Sequence, residues 1–272
     1  GKQSILQEDI DSVIEVMNSE FLTQGPITPK FEKELSNYCN SKYSVAVVNA
    51  TCALHIACLA LDVKQGDIVW TSPISFVASS NAALYCGADV DFVDIEMDTY
   101  NMSVDSLEEK LIHSKKTGKL PKVVIPVHLA GQSCDMEKIN ELSKKYDFKI
   151  IEDASHAIGG EYLNEKVGSC KYSDITVFSF HPVKIITTCE GGACMTNDKV
   201  IFEKLYKLRS HGIVRNQDEM ENISHGSWYY EQVELGFNYR LNDLQSALGI
   251  SQLKRIDNLI KLRHQIANFY FE

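Results

Sequence analysis

Short runs of β-branched and other apolar residues alternate with helical patterns along most of the chain. Residues 44–48 (SVAVV) precede the helical pattern of residues 51–62, and residues 122–128 (KVVIPVH) precede that of residues 136–147. The runs are apolar throughout, as expected for strands that are buried on both faces. Strands that alternate with helices of about ten residues form crossover units and a parallel sheet. The sequence therefore predicts an α/β fold, a three-layer sandwich with a mostly parallel central sheet.

The two ends of the chain depart from this alternation. After Thr196 the pattern is helical, and it runs to the end of the chain without a cap or a helix breaker. We therefore expect the chain to be part of a longer protein. Residues 9–21 (DIDSVIEVMNSEF) have a helical period, which predicts a helix with one buried face, formed by Ile10, Val13, Ile14 and Met17.

The composition limits the possible partners and locations. Hydrophobic residues make up 44% of the 272 residues, which is enough for a sizeable core. The 27 basic and 37 acidic residues give a net charge of −10 without a basic block, so nucleic acid is not expected as a partner. No run of 18 apolar residues occurs, and the N-terminal stretch lacks the apolar core of a signal peptide, which predicts a cytoplasmic protein without a membrane partner.

The eight cysteines could form disulfides or a zinc site, but none belongs to a CxxC pair. Most of them lie in apolar segments, which favours reduced, buried thiols and no metal.

Polar residues follow several predicted strands, at the sheet edge where parallel α/β folds bind ligands. The first such segment, residues 49–54 (NATCAL), places Ala50, Thr51 and Cys52 at a strand-to-helix junction. Free backbone amides, the helix dipole and the threonine hydroxyl favour a phosphate there. The alternative is that Asn49 or Thr51 only caps the helix.

An acid pair and a lysine follow two other predicted strands. Glu152 and Asp153 face opposite sides because strand side chains alternate, so only one of them points into a site. That carboxylate could hold a protonated ring nitrogen or could cap a helix. Lys184 could be a surface lysine, but a partly buried lysine loses its proton readily and bonds to an aldehyde. Phosphate donors, a carboxylate and a lysine together indicate pyridoxal phosphate.

Six motifs in this order resemble those of the DegT/StrS family of nucleotide-sugar aminotransferases, which have the aspartate aminotransferase fold: NATCAL, PISFVAS, PVHLAG, EDASHAIG, FSFHPVKIITTCEGG and LGFNYRLNDLQSALG. The resemblance runs from about Leu22 to the last helical pattern. It implies that residues 1–250 form the large pyridoxal-phosphate-binding domain with the N-terminal helical segment. It also implies that residues 251–272 begin the helical connection to a C-terminal small domain that is largely missing.

Within the family, the motifs are most similar to those of members that act in pseudaminic acid biosynthesis. They share the LTQG turn and the histidine of SHA, His156. The expected reaction moves an amino group from an amino acid, L-glutamate by analogy, to C4 of a UDP-4-keto-6-deoxy-N-acetylhexosamine. The alternatives are another 3- or 4-aminotransferase, such as a perosamine-type enzyme, a sugar dehydratase, a cysteine desulfurase and a catalytically silent binding relative. Lys184 and Asp153 argue against the dehydratase and the silent relative.

The resemblance also implies roles for individual residues. Lys184 would bond to the cofactor aldehyde and then move the substrate proton, and Asp153 would pair with the pyridinium nitrogen. His156 would bond to the 3-oxygen of the ring, on which Phe76 would stack. The phosphate would be held by Ala50, Thr51, the N–H of Cys52 and Ser179. Asn238 would reach the phosphate in a neighbouring subunit, which requires a homodimer with shared active sites. Substrate contacts or structural roles are open for His128, His181, His211 and Arg240.

Overall fold

A seven-stranded sheet forms the centre of the molecule in the computed structural model, which describes residues 3–271. The strands of the chain are β1 (Tyr43–Val47), β2 (Ile68–Thr71), β3 (Asp89–Phe92), β4 (Val123–Ile125), β5 (Lys149–Asp153), β6 (Glu161–Tyr162), β7 (Glu165–Lys166), β8 (Ile175–Ser179), β9 (Gly192–Thr196), β10 (Ile213–Val214) and β11 (Glu231–Gln232). The order in the central sheet is β1-β9-β8-β5-β4-β2-β3. Strands β6 and β7 form one small antiparallel pair, and β10 and β11 form another.

The central sheet is parallel from β8 through β5, β4 and β2 to β3. Strand β9 runs in the opposite direction and pairs antiparallel with both β8 and β1. The helices are α1 (Gln7–Met17), α2 (Ile27–Cys39), α3 (Ala50–Ala60), α4 (Ala78–Tyr85), α5 (Val104–Thr117), α6 (Met136–Tyr146), α7 (Lys199–Arg209), α8 (Asp243–Leu253) and α9 (Ile256–Phe271). The predicted α/β class with a mostly parallel sheet is confirmed.

Alternate residues of the inner strands enter cores on opposite faces of the sheet. Ile151 of β5 packs in a cluster with residues of α3 and α7, whereas Ile150 packs with residues of α5 and α6. In β1, Val45 belongs to the first of these clusters, and Ala46 belongs to a third cluster with residues of α2 and α8. Because helices cover both faces, the inner strands are apolar in sequence.

Strand β3 is an exception to the predicted burial of the strands. Asp89, Asp91 and Phe92 are exposed. The strand lies at the edge of the sheet, where it pairs only with β2. Helix α2 and the two small antiparallel pairs were not expected from the sequence.

Helix α1 forms as predicted, but its buried face is not the predicted one. Ile10, Ile14 and Met17 are exposed, whereas Asp9 and Val16 are buried. The Asp9 carboxylate accepts hydrogen bonds from Arg255 and from Gln252 of α8. Asp9 therefore faces the core, Ile10, Ile14 and Met17 point away from it, and Val13 of the predicted face is only partly buried.

The expected domain boundary lies within the C-terminal helices. The position between residues 250 and 251 falls inside α8, whose residues 251–253 are buried, and α9 begins only at Ile256. The assignment of residues 251–272 to an interdomain connection stays a prediction. Within residues 3–271, no helix combines the length and the apolar character needed to cross a membrane.

The cysteine thiols are free. The buried ones are Cys39, Cys58, Cys134, Cys170 and Cys194. Cys189 is exposed, contrary to the expectation of burial. Among the described residues, no group of histidines, cysteines and acids is arranged to hold a metal ion.

Candidate active site

A cavity of about 470 Å³ lies beside the carboxyl ends of β5 and β8 and the first turn of α3. Its volume is within the range of small-molecule sites. The cavity brings together the following residues that the sequence predicted for the site: Ala50, Thr51, Phe76, Asp153, His156, Ser179, His181 and Lys184. The convergence follows from the topology, because parallel strands bring their carboxyl ends to one edge of the sheet.

Asp153 ends β5 and is the member of the acid pair that reaches the cavity. Its side chain is buried, and both carboxylate oxygens are hydrogen-bonded. One oxygen accepts from the Ser79 hydroxyl at 2.6 Å, and the other accepts from the Ser155 hydroxyl at 2.6 Å. These bonds fix the orientation of the carboxylate within the cavity wall.

Glu152 points to the other side of the sheet, as strand alternation predicts. It accepts hydrogen bonds from Ser173, from Thr176 and from His128, whose Nε2 lies 2.7 Å away. Burial alone would raise the pKa of Glu152, but the hydrogen bonds from these partners, His128 first, hold it below its usual value. Glu152 is therefore a buried structural carboxylate.

His128 lies outside the cavity, and its contacts favour the structural role among the two that the sequence left open. Its side chain is 0% exposed. The Nδ1 atom accepts a hydrogen bond from the backbone amide of Cys134 at 3.2 Å, and Nε2 faces Glu152. Both ring nitrogens are thus used inside the protein.

His156 lines the cavity and is partly buried. Its Nδ1 atom accepts a hydrogen bond from the backbone amide of Ala130 at 3.2 Å. Burial and the positive charge of Lys184 lower the pKa of His156, and the charge of Asp153 only partly offsets them. The ring is therefore biased toward its neutral form at neutral pH.

Lys184 lies in the irregular segment between β8 and β9 and also lines the cavity. Its backbone is held from two directions. Its amide donates to the carbonyl of His181 at 2.9 Å, and Arg263 of α9 donates to its carbonyl at 2.9 Å. Burial lowers the pKa of the Lys184 amine, and the charge of Asp153 opposes that shift. The amine is thus closer to its reactive, neutral form than a surface lysine is.

The first turn of α3 offers backbone donors to the cavity. Within residues 3–271, no acceptor takes the amide hydrogens of Ala50 and Thr51. The amide of Cys52 is different, because it donates to the side chain of Asn49 at 2.8 Å. Asn49 thus caps the helix, as the alternative interpretation of this segment held. A phosphate contact of the Cys52 amide would require this cap to open.

The close approach of β9 fixes the position of this turn. A Cβ atom added to Gly192 would lie 2.6 Å from the backbone nitrogen of Ala50, which is too close for any side chain. The glycine at this position therefore allows the start of α3 to rest on the strand that follows the lysine segment.

Phe76 and Ser179 complete the predicted set around the cavity. The Phe76 side chain is 71% exposed, so its ring is free to cover a ligand. Ser179 is buried at the end of β8, and its hydroxyl accepts from the amide of His181 at 3.4 Å. His181 lines the cavity as well, but it is exposed.

Besides His128, four predicted residues do not line this cavity: Cys52, Asn238, Arg240 and His211. Asn238 is exposed and bridges Ser210, and Arg240 bridges Val47 through the backbone. His211 has a left-handed backbone with φ of 63° and donates its amide to the carbonyl of Phe237. Their contacts with substrate or with a second subunit stay predictions.

Several residues of the cavity were missed in the sequence. Glu190 lies within the motif FSFHPVKIITTCEGG, two residues after Thr188, but no role in the site was inferred for it from the sequence. Ser79, which orients Asp153, ends the PISFVAS motif, but it too was assigned no role in the site from the sequence. The other missed lining residues are Asn49, Leu54, Ser75, Ala78, Val127, Ser155 and Val183.

A family model described as the DegT/DnrJ/EryC1/StrS aminotransferase family matches residues 3–272. The chain belongs to the DegT/DnrJ/EryC1/StrS aminotransferase family. It is 43% identical over 268 residues to the UDP-4-amino-4,6-dideoxy-N-acetyl-beta-L-altrosamine transaminase of Campylobacter jejuni, covering 98% of the chain and 67% of that protein.

Solved structures show the same similarity. Helicobacter pylori PseC, an aminotransferase involved in the biosynthesis of pseudoaminic acid, matches with a TM-score of 0.88 and 36% identity. The match covers 99% of this chain and 68% of PseC. Spr1654 of Streptococcus pneumoniae, solved in its PLP form, matches with a TM-score of 0.87 and 30% identity over 99% of this chain and 69% of that one. The protein is a sugar aminotransferase, and its cofactor is pyridoxal phosphate.

The cavity residues fit this cofactor chemically. Lys184 supplies a partly buried amine of lowered pKa, and Asp153 supplies a carboxylate whose orientation is fixed. The amides of Ala50 and Thr51 supply unpaired donors at the positive end of a helix dipole. An aldehyde, a ring nitrogen and a phosphate are the three groups that such a set can bind.

Proposed function

We propose that the protein transfers an amino group from L-glutamate to C4 of a UDP-linked 4-keto-6-deoxy-N-acetylhexosamine. The main observation in favour of amino transfer is that Lys184, Asp153 and His156 line the same cavity. The choice of sugar is supported by the 43% identity to the Campylobacter jejuni transaminase, whose name specifies a UDP-linked 4-amino sugar.

In the proposed reaction, Lys184 and Asp153 each have a separate role toward the cofactor. When bound, pyridoxal phosphate supplies an aldehyde that captures the amino group and a ring that withdraws electrons from the bond to be broken. The Lys184 amine would hold the aldehyde, and it would also move a proton at the substrate carbon. The Asp153 carboxylate accepts a hydrogen bond from the protonated ring nitrogen, and Ser79 and Ser155 keep it aligned.

The remaining residues of the cavity bind the cofactor and orient its ring. The first turn of α3 and the Ser179 hydroxyl bind the phosphate, and Phe76 covers one face of the ring. His156 donates a hydrogen bond to the ring oxygen. Because glutamate and the keto-sugar react in turn at the same site, the kinetics are ping-pong.

We further propose that two copies of the chain form a dimer with shared sites. Ile10, Ile14 and Met17 recur at helical spacing on α1 and are exposed. An exposed apolar stripe of this kind is typical of a surface that binds another protein. Asn238 is exposed as well and is therefore available to a second subunit.

A substrate panel tests the proposed reaction. The full-length protein is incubated with pyridoxal phosphate, glutamate and one of three sugars, and 2-oxoglutarate and the amino sugar are measured. The sugars are the UDP-linked 4-keto-6-deoxy-N-acetylhexosamine, a UDP-linked 3-keto sugar and a GDP-linked 4-keto-6-deoxyhexose. We expect the first to react fastest, and Lys184→Met to abolish product. A preference for either other sugar would refute the proposed acceptor, and product formation by Lys184→Met would refute the role of the lysine.

A further inference from the structure

The turn of residues 129–132 holds one ring nitrogen of His156. The Ala130 amide donates to Nδ1 of His156 at 3.2 Å. A nitrogen that accepts a hydrogen bond carries no proton, so a neutral His156 has its proton on Nε2. The group that the ring can offer to the cavity is then an N–H donor.

The backbone of this turn is unusual at Ala130. Its φ of 53° and ψ of 14° are left-handed, a conformation that residues with a Cβ atom rarely adopt. Such a residue persists only where its surroundings hold it. The direction of the Ala130 amide therefore depends on what fixes the two ends of the turn.

One buried side chain fixes both ends. Asn101, which is 3% exposed, accepts a hydrogen bond from the amide of Leu129 at 3.0 Å through its Oδ1 atom. Its Nδ2 atom donates to the carbonyl of Gln132 at 2.9 Å. An asparagine is suited to this task because its side chain is an acceptor and a donor at once.

The turn also lies close to the backbone that carries His156. A Cβ atom added to Gly131 would meet the carbonyl oxygen of His156 at 3.0 Å. The amide of Gly131 donates to the carbonyl of His128 at 3.1 Å, and the amide of His128 donates to the carbonyl of Asp153 at 3.1 Å. The turn, the acid and the histidine thus form one connected unit at the edge of the cavity.

We propose that Asn101 is a positioning residue that sets the tautomer of His156 through the 129–132 turn. By holding Leu129 and Gln132, Asn101 aims the Ala130 amide at Nδ1 and leaves the proton on Nε2. The consequence for the cofactor, a hydrogen bond donated to an anionic ring oxygen, rests on the proposed function. The tautomer itself is a property of the chain without the cofactor.

Nitrogen-15 NMR of the cofactor-free protein tests the proposal. Long-range proton–nitrogen spectra distinguish the two neutral tautomers, and the His156 signals are assigned by their loss in His156→Gln. We expect the wild type to show the Nε2–H tautomer alone. In Asn101→Asp, which cannot donate to the Gln132 carbonyl, we expect loss of the single tautomer and a measurable Nδ1–H population.

Asn140→Asp is the matched control. Asn140 also donates its Nδ2 hydrogen to a backbone carbonyl, that of Tyr172 at 2.9 Å, but it does not line the cavity. This variant should keep the wild-type tautomer. A wild-type His156 with its proton on Nδ1, or an unchanged tautomer in a folded Asn101→Asp, would overturn the proposal.

If Asn101→Asp does not fold, hydrogen exchange tests whether the 129–132 turn is held in the proposed way. In the wild type, the Leu129 and Ala130 amides should be protected, and the protection of Ala130 should be lost in His156→Ala while that of Leu129 remains. Rapid exchange of both amides in the wild type would contradict the proposal. The proposed function is tested separately by product formation from glutamate and the keto-sugar, whereas the tautomer is measured in the protein without cofactor.

Discussion

At the scale of single residues, Lys184 has an environment that disfavours its charge. Burial lowers the pKa of its amine from 10.5, and Asp153 opposes the shift only in part. The pKa of the amine is lower in the folded chain than in the unfolded chain. At a pH between these two pKa values, the unfolded chain binds a proton that the folded chain lacks. Stability therefore rises with pH across this window, and below it the folded chain bears the full cost of the charged amine.

Replacement of Lys184 by methionine removes this cost. We expect Lys184→Met to be more stable than the wild type at about pH 7 in the absence of cofactor, with a difference that shrinks as the pH approaches about 10. Denaturant unfolding at both pH values measures the difference. Lys33→Met, at an exposed position of α2, is the control and should show no such pH-dependent gain. A wild type that is the more stable protein at pH 7 would contradict the expectation.

At the scale of elements, α1 is fixed by a polar contact. Asp9 is fully buried, and its carboxylate takes hydrogen bonds from Arg255 and Gln252. A buried carboxylate that loses its cationic partner is costly, because its charge is not compensated by water.

We expect Arg255→Ala to destabilise the protein by about 3 kcal/mol, the usual cost of breaking a buried ion pair from one side. Chemical denaturation measures this loss, and hydrogen exchange should show that α1 opens first. Lys254→Ala, at the exposed neighbouring position, should change the free energy of unfolding by no more than about 0.5 kcal/mol. A similar effect of both substitutions would show that the ion pair does not hold α1.

The elements also show what could be predicted from the sequence. The strands and the residues at their ends follow from local patterns, and strand alternation separated Asp153 from Glu152 correctly. The buried face of α1 did not follow, because Asp9 meets Arg255 across 246 residues of chain. The role of His128 stayed open for the same reason: its position after a strand is visible in the sequence, but its burial against Glu152 is not. Asn101 gave no local signal, since its partner Gln132 lies 31 residues away.

At the scale of the whole molecule, we propose that the exposed stripe of α1 forms the contact with a second subunit. Ile14 is 48% exposed and Met17 is 64% exposed, although both belong to an apolar helix face. Burial of such side chains between two copies stabilises a dimer by roughly 1.5–3 kcal/mol for each side chain that is fully covered.

A charge placed in this stripe should separate the two copies. We expect the wild type to sediment as a dimer and Ile14→Glu to sediment as a monomer, because a buried carboxylate without a partner is costly. Val200→Glu places the same charge at another exposed apolar position, on α7, and should remain dimeric. Sedimentation of the wild type as a monomer, or of Ile14→Glu as a dimer, would rule out this interface.

We propose that Lys184 is the lysine to which pyridoxal phosphate becomes attached. Borohydride reduction of the protein loaded with cofactor makes that bond permanent, and mass spectrometry of the digested protein locates it. We predict that the cofactor is found on the peptide that contains Lys184, that Lys33→Met is labelled like the wild type, and that Lys184→Met is not labelled. Attachment to a different lysine, or active protein in which no lysine is modified, would contradict the account.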